Sequence, residues 1–140
     1  MRLSQIVSGI ICHQVNCLGY MGCGAALAIR NLFPIVYSKY RVFGHKTGNG
    51  AWQLGMIQFV SINDHLKVAN LAAQFGIGRT KRMTDYDALE TCLSKLQQVA
   101  GDQTVYFPDH MGSRNAGGDW AIVSSLITKY FPNAQFFSRD

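Results

Sequence analysis

Short apolar runs alternate along this chain with longer stretches in which apolar residues recur every three or four positions. The first pattern suits buried strands and the second amphipathic helices, and their alternation predicts a layered α/β domain. Residues 9–15 read as a strand, buried at its start and turning polar at its end. Residues 16–24 are glycine-rich and read as a loop. Residues 25–33 combine strong helix formers with an apolar face, and Pro34 interrupts that helix or opens a turn. Residues 35–43 continue as a second helical piece, with Val36, Tyr37 and Tyr40 at helical spacing.

A polar, glycine-containing loop is expected over residues 45–51. Residues 54–62 and 66–73 then read as two strands joined by the turn Asn63-Asp64-His65, hence as a hairpin. Residues 74–83 form a basic loop with Arg79, Lys81 and Arg82. Thr84 looks like a helix N-cap, with Asp85 and Asp87 where the helix dipole favours them. That helix runs to about Ala100, with Tyr86, Leu89, Cys92, Leu93 and Leu96 on one face and Gly101 as its stop. A short strand over 104–107 ends at Pro108. A second glycine-bearing loop covers 111–118, a helix 120–131 and a last strand 134–137.

With 140 residues, 48% of them hydrophobic and 15% charged, the chain suits one domain over 1–140 with one well-buried core and is not a disordered polymer. The formal net charge is +5 and the isoelectric point near 9.2. Such an excess suits a nucleotide, a phosphate ester or nucleic acid equally well, and equally a solvated basic surface. No apolar run approaches the roughly 20 residues needed to span a membrane. The apolar stretch at the start is broken by His13, Gln14 and Asn16, making a poor signal peptide, so a cytoplasmic protein without membrane contact is expected. The cysteines, Cys12, Cys17, Cys23 and Cys92, form no C-x-x-C pair and no common zinc spacing. Cys23 alone falls at a helix start that would stabilise a thiolate.

Candidate chemistry lies in two strand–loop–helix junctions. The first loop is Asn16-Cys17-Leu18-Gly19-Tyr20-Met21-Gly22-Cys23-Gly24. The second is Gly112-Ser113-Arg114-Asn115-Ala116-Gly117-Gly118. Glycine allows backbone to approach a ligand, and amides at a helix start make a phosphate seat. Side by side, two such loops suit a diphosphate; turn geometry alone would also account for the glycines. Neither loop fits the Walker or the dinucleotide fingerprint. There is no carboxylate cluster in either loop, so no metal and no cofactor are expected.

Residues 10–26, Ile-Ile-Cys-His-Gln-Val-Asn-Cys-Leu-Gly-Tyr-Met-Gly-Cys-Gly-Ala-Ala, resemble the first ligand loop of macrodomains, especially the short stand-alone ones of bacteria and their phages. Residues 70–74, 84–89 and 116–120 resemble that family's middle section and the end of its second loop. The likeness covers nearly the whole chain in the right order. It implies a three-layer α/β/α fold with a mixed sheet and an ADP-ribose cleft at the strand ends. By resemblance Asn16 contacts the distal ribose, Gly22, Cys23 and Gly24 approach that ribose and the phosphates, and Ser113, Arg114, Asn115, Ala116 and Gly117 wrap the diphosphate. Gly19, Met21, Gln74 and Gly112 complete the candidate ligand-binding set.

Departures from the family pattern sharpen the expectations. The usual first strand, with its Gly-Asp pair that reads adenine, is not apparent: Met1 to Ser8 contain no Asp or Glu. Either another group reads the base or the ligand differs. Arg114 stands where the family has a glycine, and either adds a charge-assisted contact or fills the cleft. The branch that removes ADP-ribose from glutamate or DNA bases uses a lysine and an acid where this chain has Gln74 and Ala116, so that chemistry is not expected. The yeast phosphatase branch acts on ADP-ribose 1''-phosphate and carries Ile-His-x-x-Asn. Ile11, His13 and Asn16 match it with one residue inserted, making His13 and Asn16 the candidate catalytic pair. His13 reads more readily as a hydrogen-bonded histidine packed between sheet and helix.

The reading is therefore a monomeric binder of ADP-ribose or a related small molecule, with phosphatase activity on the 1''-phosphate as its enzymatic form. The alternatives are a non-catalytic sponge for a nucleotide signal and a degenerate macrodomain with an altered cleft. Nucleic acid ranks last, since no basic stripe interleaved with aromatics is present.

Overall fold

A computed structural model describes residues 1–46, 52–78 and 80–139. The strands are β1 (Gly9–Asn16), β2 (Ile57–Ser61), β3 (Leu66–Gln74), β4 (Val105–Pro108) and β5 (Gln135–Phe137). The helices are α1 (Gly24–Leu32), α2 (Pro34–Lys46), α3 (Tyr86–Ala100) and α4 (Trp120–Tyr130). The strands form one mixed sheet in the order β2-β3-β1-β4-β5. All neighbours are parallel except the β2–β3 hairpin, which is antiparallel. Residues 47–51 of the expected polar loop, and Arg79 of the basic loop, lie outside the described residues.

β1 is central and buried along its whole length, including the end read as polar. A parallel strand covered on both faces needs apolar side chains on both. Ile10 and Cys12 join the core with Leu89, Cys92, Leu93 and Leu96 of α3 and Val123 and Ile127 of α4. Ile11 and Val15 face the opposite core, with Ile29 of α1 and Val36 and Tyr40 of α2. The result is the expected three-layer α/β/α arrangement. Burial pushes the Cys92 thiol up to about 12 and the Cys12 thiol higher still, so both pack as inert hydrophobes.

Two local readings change. Thr84 is not the cap of α3: Asp85 is, accepting from the Ala88 amide at 2.9 Å. Thr84 is buried because its hydroxyl donates to the Gly112 carbonyl at 2.7 Å, tying the second glycine loop to the body. The strand expected from residue 54 starts at Ile57, because residues 53–56 turn, with Met56 N–H donating to the Gln53 carbonyl and Gly55 at φ 91°. Before β1 the chain makes one 3-10 turn, Leu3–Gln5, and Arg2 forms an isolated parallel bridge with Ser138 just beyond β5.

Candidate functional site

β1, β3, β4 and β5 end together at one edge of the sheet, and the loops that follow enclose a cleft of about 570 Å³. Asn16 and Gln74 lie at the β1/β3 end. Gly22, Cys23 and Gly24 line one wall, and Gly112, Arg114, Asn115 and Ala116 the facing wall. Asp109, His110, Phe137, Ser138 and Arg139 close the β4/β5 end.

The first loop is organised by one side chain. Asn16 Oδ1 accepts from the amides of Leu18 (2.9 Å), Gly19 (3.0 Å) and Tyr20 (3.2 Å) and from the Tyr40 hydroxyl (2.9 Å). Its Nδ2 donates to the Tyr20 carbonyl at 2.7 Å. The Tyr40 hydroxyl shares its one proton between Asn16 Oδ1 and the Asn16 carbonyl, the latter at 2.6 Å, and burial raises its pKa, so it keeps that proton. The loop delivers the chain to α1, whose N-cap, Cys23, makes no side-chain capping bond. α3 and α4, by contrast, are capped by the carboxylates of Asp85 and Asp119. The first amides of α1 therefore open onto the cleft, where Gly24, Ala25 and Ala26 line it, and the helix dipole adds partial positive charge.

The second loop is closed at its base by the Gly118 amide donating to the Gly112 carbonyl at 2.8 Å. Beneath it lies a polar floor. Gln14 Nε2 donates to Gln74 Oε1 (2.8 Å) and to Thr84 Oγ1 (2.9 Å). Gly112 has φ 74°, and a Cβ there would stand 2.8 Å from Gln14 Oε1, so only glycine fits. Across the cleft, a Cβ on Gly24 would meet Asn115 Nδ2 at 2.7 Å and Arg139 Nη1 at 3.5 Å. Asn115 and Arg139 thus reach the start of α1 from the opposite wall.

Of the residues expected to bind ligand, Asn16, Gly22, Cys23, Gly24, Gln74, Gly112, Arg114, Asn115 and Ala116 line the cleft, and Gly19, Met21, Ser113 and Gly117 do not; nor does His13, the expected catalytic base. His13 is fully buried on the α1/α2 side of the sheet, its Nε2 donating to Asn70 Oδ1 at 2.5 Å. Burial lowers its pKa to about 4, so it is neutral, and its Nδ1 has no partner among the described residues. The geometry takes His13 away from any substrate and corrects its placement as a catalytic base. Met21 is core, packed among the α1/α2 residues. Gly19 packs against the Arg41 side chain, Ser113 turns its hydroxyl onto the His110 carbonyl (2.7 Å), and Gly117 faces the backbone of Lys81 and Arg82. Arg82 in turn lies over the Tyr86 ring at 4.4 Å, which makes it part of the scaffold.

Sequence reasoning missed Gln14, Asp109, His110 and Arg139. Gln14 carried a signal, as a polar residue inside a strand predicted to be buried. Arg139 and Asp109 carried none, because only the parallel pairing of β4 with β5 brings them to the cleft.

A mixed sheet with helices on both faces, and a glycine-walled cleft at its strand ends, defines an α/β domain with a ligand-sized cleft where such folds carry their sites. No family model and no curated protein matches the chain. Solved structures do. A macrodomain protein from Streptomyces coelicolor is 28% identical, with TM-score 0.76 over 96% of this chain and 90% of that one. The macrodomain of Mycobacterium tuberculosis DarG is 20% identical, with TM-score 0.79 over 99% and 93%. Thermosipho africanus DarTG, solved in complex with ADP-ribose, is 18% identical, with TM-score 0.72 over 94% of this chain and 37% of that one. The chain has the macrodomain fold.

Proposed function

We propose that the cleft binds ADP-ribose or a related ADP-ribosyl metabolite. The observation that carries this reading is the uncapped start of α1 opening between the two glycine loops. A phosphate seated there would satisfy orphan amides and gain about 0.3–2 kcal/mol from the dipole. Arg114, Asn115 and Arg139 would meet it from the facing wall. The cleft runs from the end of β3 to the end of β5, which suits a sugar at one end, a diphosphate in the middle and a base at the other. Its volume of about 570 Å³ lies within the usual range for small-molecule sites. The ADP-ribose held by the Thermosipho relative supports the same choice.

Binding without turnover is favoured over hydrolysis of the 1''-phosphate, because His13 and Asn16, the pair that hydrolysis would draw on, are both engaged within the fold. Release of inorganic phosphate from ADP-ribose 1''-phosphate by the wild-type protein would reverse that preference.

Gly22 offers the test. It lines the cleft, and a Cβ there meets nothing within 4 Å. Gly22→Glu therefore places a carboxylate in the phosphate seat while perturbing stability by no more than about 0.5 kcal/mol. ADP-ribose at about 100 times its Kd should stabilise the wild type by about 2.7 kcal/mol, read as a rise in melting temperature, and leave the variant unmoved. No rise in the wild type, or an equal rise in the variant, removes the proposal.

A further inference from the structure

Residues 1–63 contain no Asp or Glu; all the acids lie from Asp64 onward. Asp64 itself sits in the turn before β3, at the end of the sheet away from the cleft. The acid-free stretch builds the α1/α2 layer, which carries Arg30, Lys39 and Arg41. Arg30 of α1 and Arg41 of α2 both meet Tyr37. The Arg30 guanidinium lies 3.8 Å from the ring centroid, and Arg41 Nη1 donates to the Tyr37 hydroxyl at 2.7 Å. The ring thus holds two positive charges in place on one face. The Arg41 side chain also packs against Gly19 of the first loop. On either side of Gly19, Leu18 and Tyr20 leave about half their surface in water. The Cys17 amide donates to the Phe75 carbonyl at 2.9 Å, which brings the loop after β3 alongside, and there Phe75 and Ile77 are exposed to the same degree. Tyr20 and Ile77 line the cleft, whereas Leu18 and Phe75 stand outside it. Single exposed apolar side chains are ordinary; four gathered in one place mark a contact surface.

The strip therefore joins fixed cations to exposed rings. An acidic polypeptide would match the charge and leave the rings unused. A nucleic-acid duplex would match the charge and keep its base faces stacked on one another. A single strand offers both phosphates and open base faces. We propose that the strip from Phe75 and Tyr20, across the first loop to the Arg30–Tyr37–Arg41 stack, is a docking surface for single-stranded nucleic acid, with bases on the rings and phosphates on the arginines. No such stripe runs along the sequence, because the fold assembles it from two helices and two loops. Phe75 and both arginines lie outside the cleft, so the docking surface is independent of which small molecule the cleft holds.

Fluorescence anisotropy tests this with a labelled mixed-sequence strand of about 20 nucleotides, made as DNA and as RNA, and with the matching duplexes. The single strand should bind with a Kd of about 1–100 μM at about 50 mM salt, and more tightly than its duplex. Two neutralised phosphates give log K a slope of about −1.4 on log salt, hence about sevenfold weaker binding at about 200 mM than at about 50 mM. The double variant Arg30→Gln/Arg41→Gln should bind at least about tenfold more weakly, with a slope near zero. Phe75→Ala should bind about fivefold more weakly with the slope unchanged, because a stacked ring carries no charge. Both variants should melt near the wild-type temperature, since the replaced side chains lie at the surface. A wild type that binds neither strand, or that binds strand and duplex equally, overturns the assignment. Undiminished binding in either variant does so too. Displacement of the labelled strand by polyglutamate as readily as by unlabelled strand overturns it in favour of an acidic polypeptide.

Discussion

Replacing Asn16 by alanine should cost both stability and ligand binding, through the first loop rather than through a lost ligand contact. Five hydrogen bonds end on this side chain. Each is worth a net of about 0.5–1.5 kcal/mol. The lower figure applies to the amides of Leu18 and Tyr20, exposed residues whose N–H groups can find water in the variant. Gly19 N–H keeps its 3.0 Å bond to the Tyr40 hydroxyl. The sum is about 2–4 kcal/mol, within the 5–15 kcal/mol typical of a domain, so the variant should fold but denature earlier. In urea the midpoint should fall with an unchanged slope. Affinity for ADP-ribose, measured well below the new melting temperature, should drop at least tenfold because α1 no longer starts in a fixed place. Tyr40→Phe separates order from contact. Tyr40 does not line the cleft, yet its hydroxyl holds the Asn16 carbonyl, Asn16 Oδ1 and the Gly19 amide. Loop order as the cause requires Tyr40→Phe to weaken binding as well. A stability loss below about 0.5 kcal/mol for Asn16→Ala, or undiminished binding in both variants, would refute the reasoning.

Two further outcomes follow from the same geometry. Burial lowers the His13 pKa from its ordinary 6.5 to about 4 in the folded state. Between those values the unfolded chain binds more protons, so stability should fall as pH drops from about 6.5 to 4, by an amount on the order of 2–3 kcal/mol. Urea titrations across that range should show the loss in the wild type and a flatter profile in His13→Gln. Arg139→Ala removes an exposed cation that faces the start of α1. It should weaken ADP-ribose binding about three- to tenfold and reduce its salt sensitivity, with the melting temperature unchanged; an unaltered Kd at low salt would remove Arg139 from the site.

Most of the fold was legible in the sequence because period and punctuation agreed. Helical spacing marked α3, and Leu89, Cys92, Leu93 and Leu96 are its buried face. Pro34 separated α1 from α2 without a loop, since proline at a first helical position costs no hydrogen bond. The hairpin turn was written in Asn63, whose side chain accepts from the His65 and Leu66 amides. The site was legible only where glycine marked it. Composition cannot say which way a loop residue turns: Ser113 and Gly117 point back into the scaffold, while Arg114 and Asn115 between them face the cleft. His13 misled because a polar residue in a strand reads the same whether it faces a ligand or a buried amide such as Asn70.

The end of β1 explains why one strand can serve both walls. Residues two apart in a strand share a face, so Gln14 and Asn16 should point the same way. They do not act on the same loop. Gln14 reaches Thr84, which holds Gly112 of the second loop, whereas Asn16 reaches Tyr40 of α2 and gathers the first. Between Val15 and Asn16 the pairing with β3 slips, from Val15 opposite Ala72 to Asn16 opposite Gln74. The extra residue is Ala73 of β3, and an irregularity of that kind bends the strand pair and increases its twist. There the last two polar residues of β1 take different partners, so each glycine loop rests on its own amide. The cleft between them is then centred over β1, beside the uncapped start of α1, which is where a diphosphate has to lie if its two ends are to reach β3 and β5.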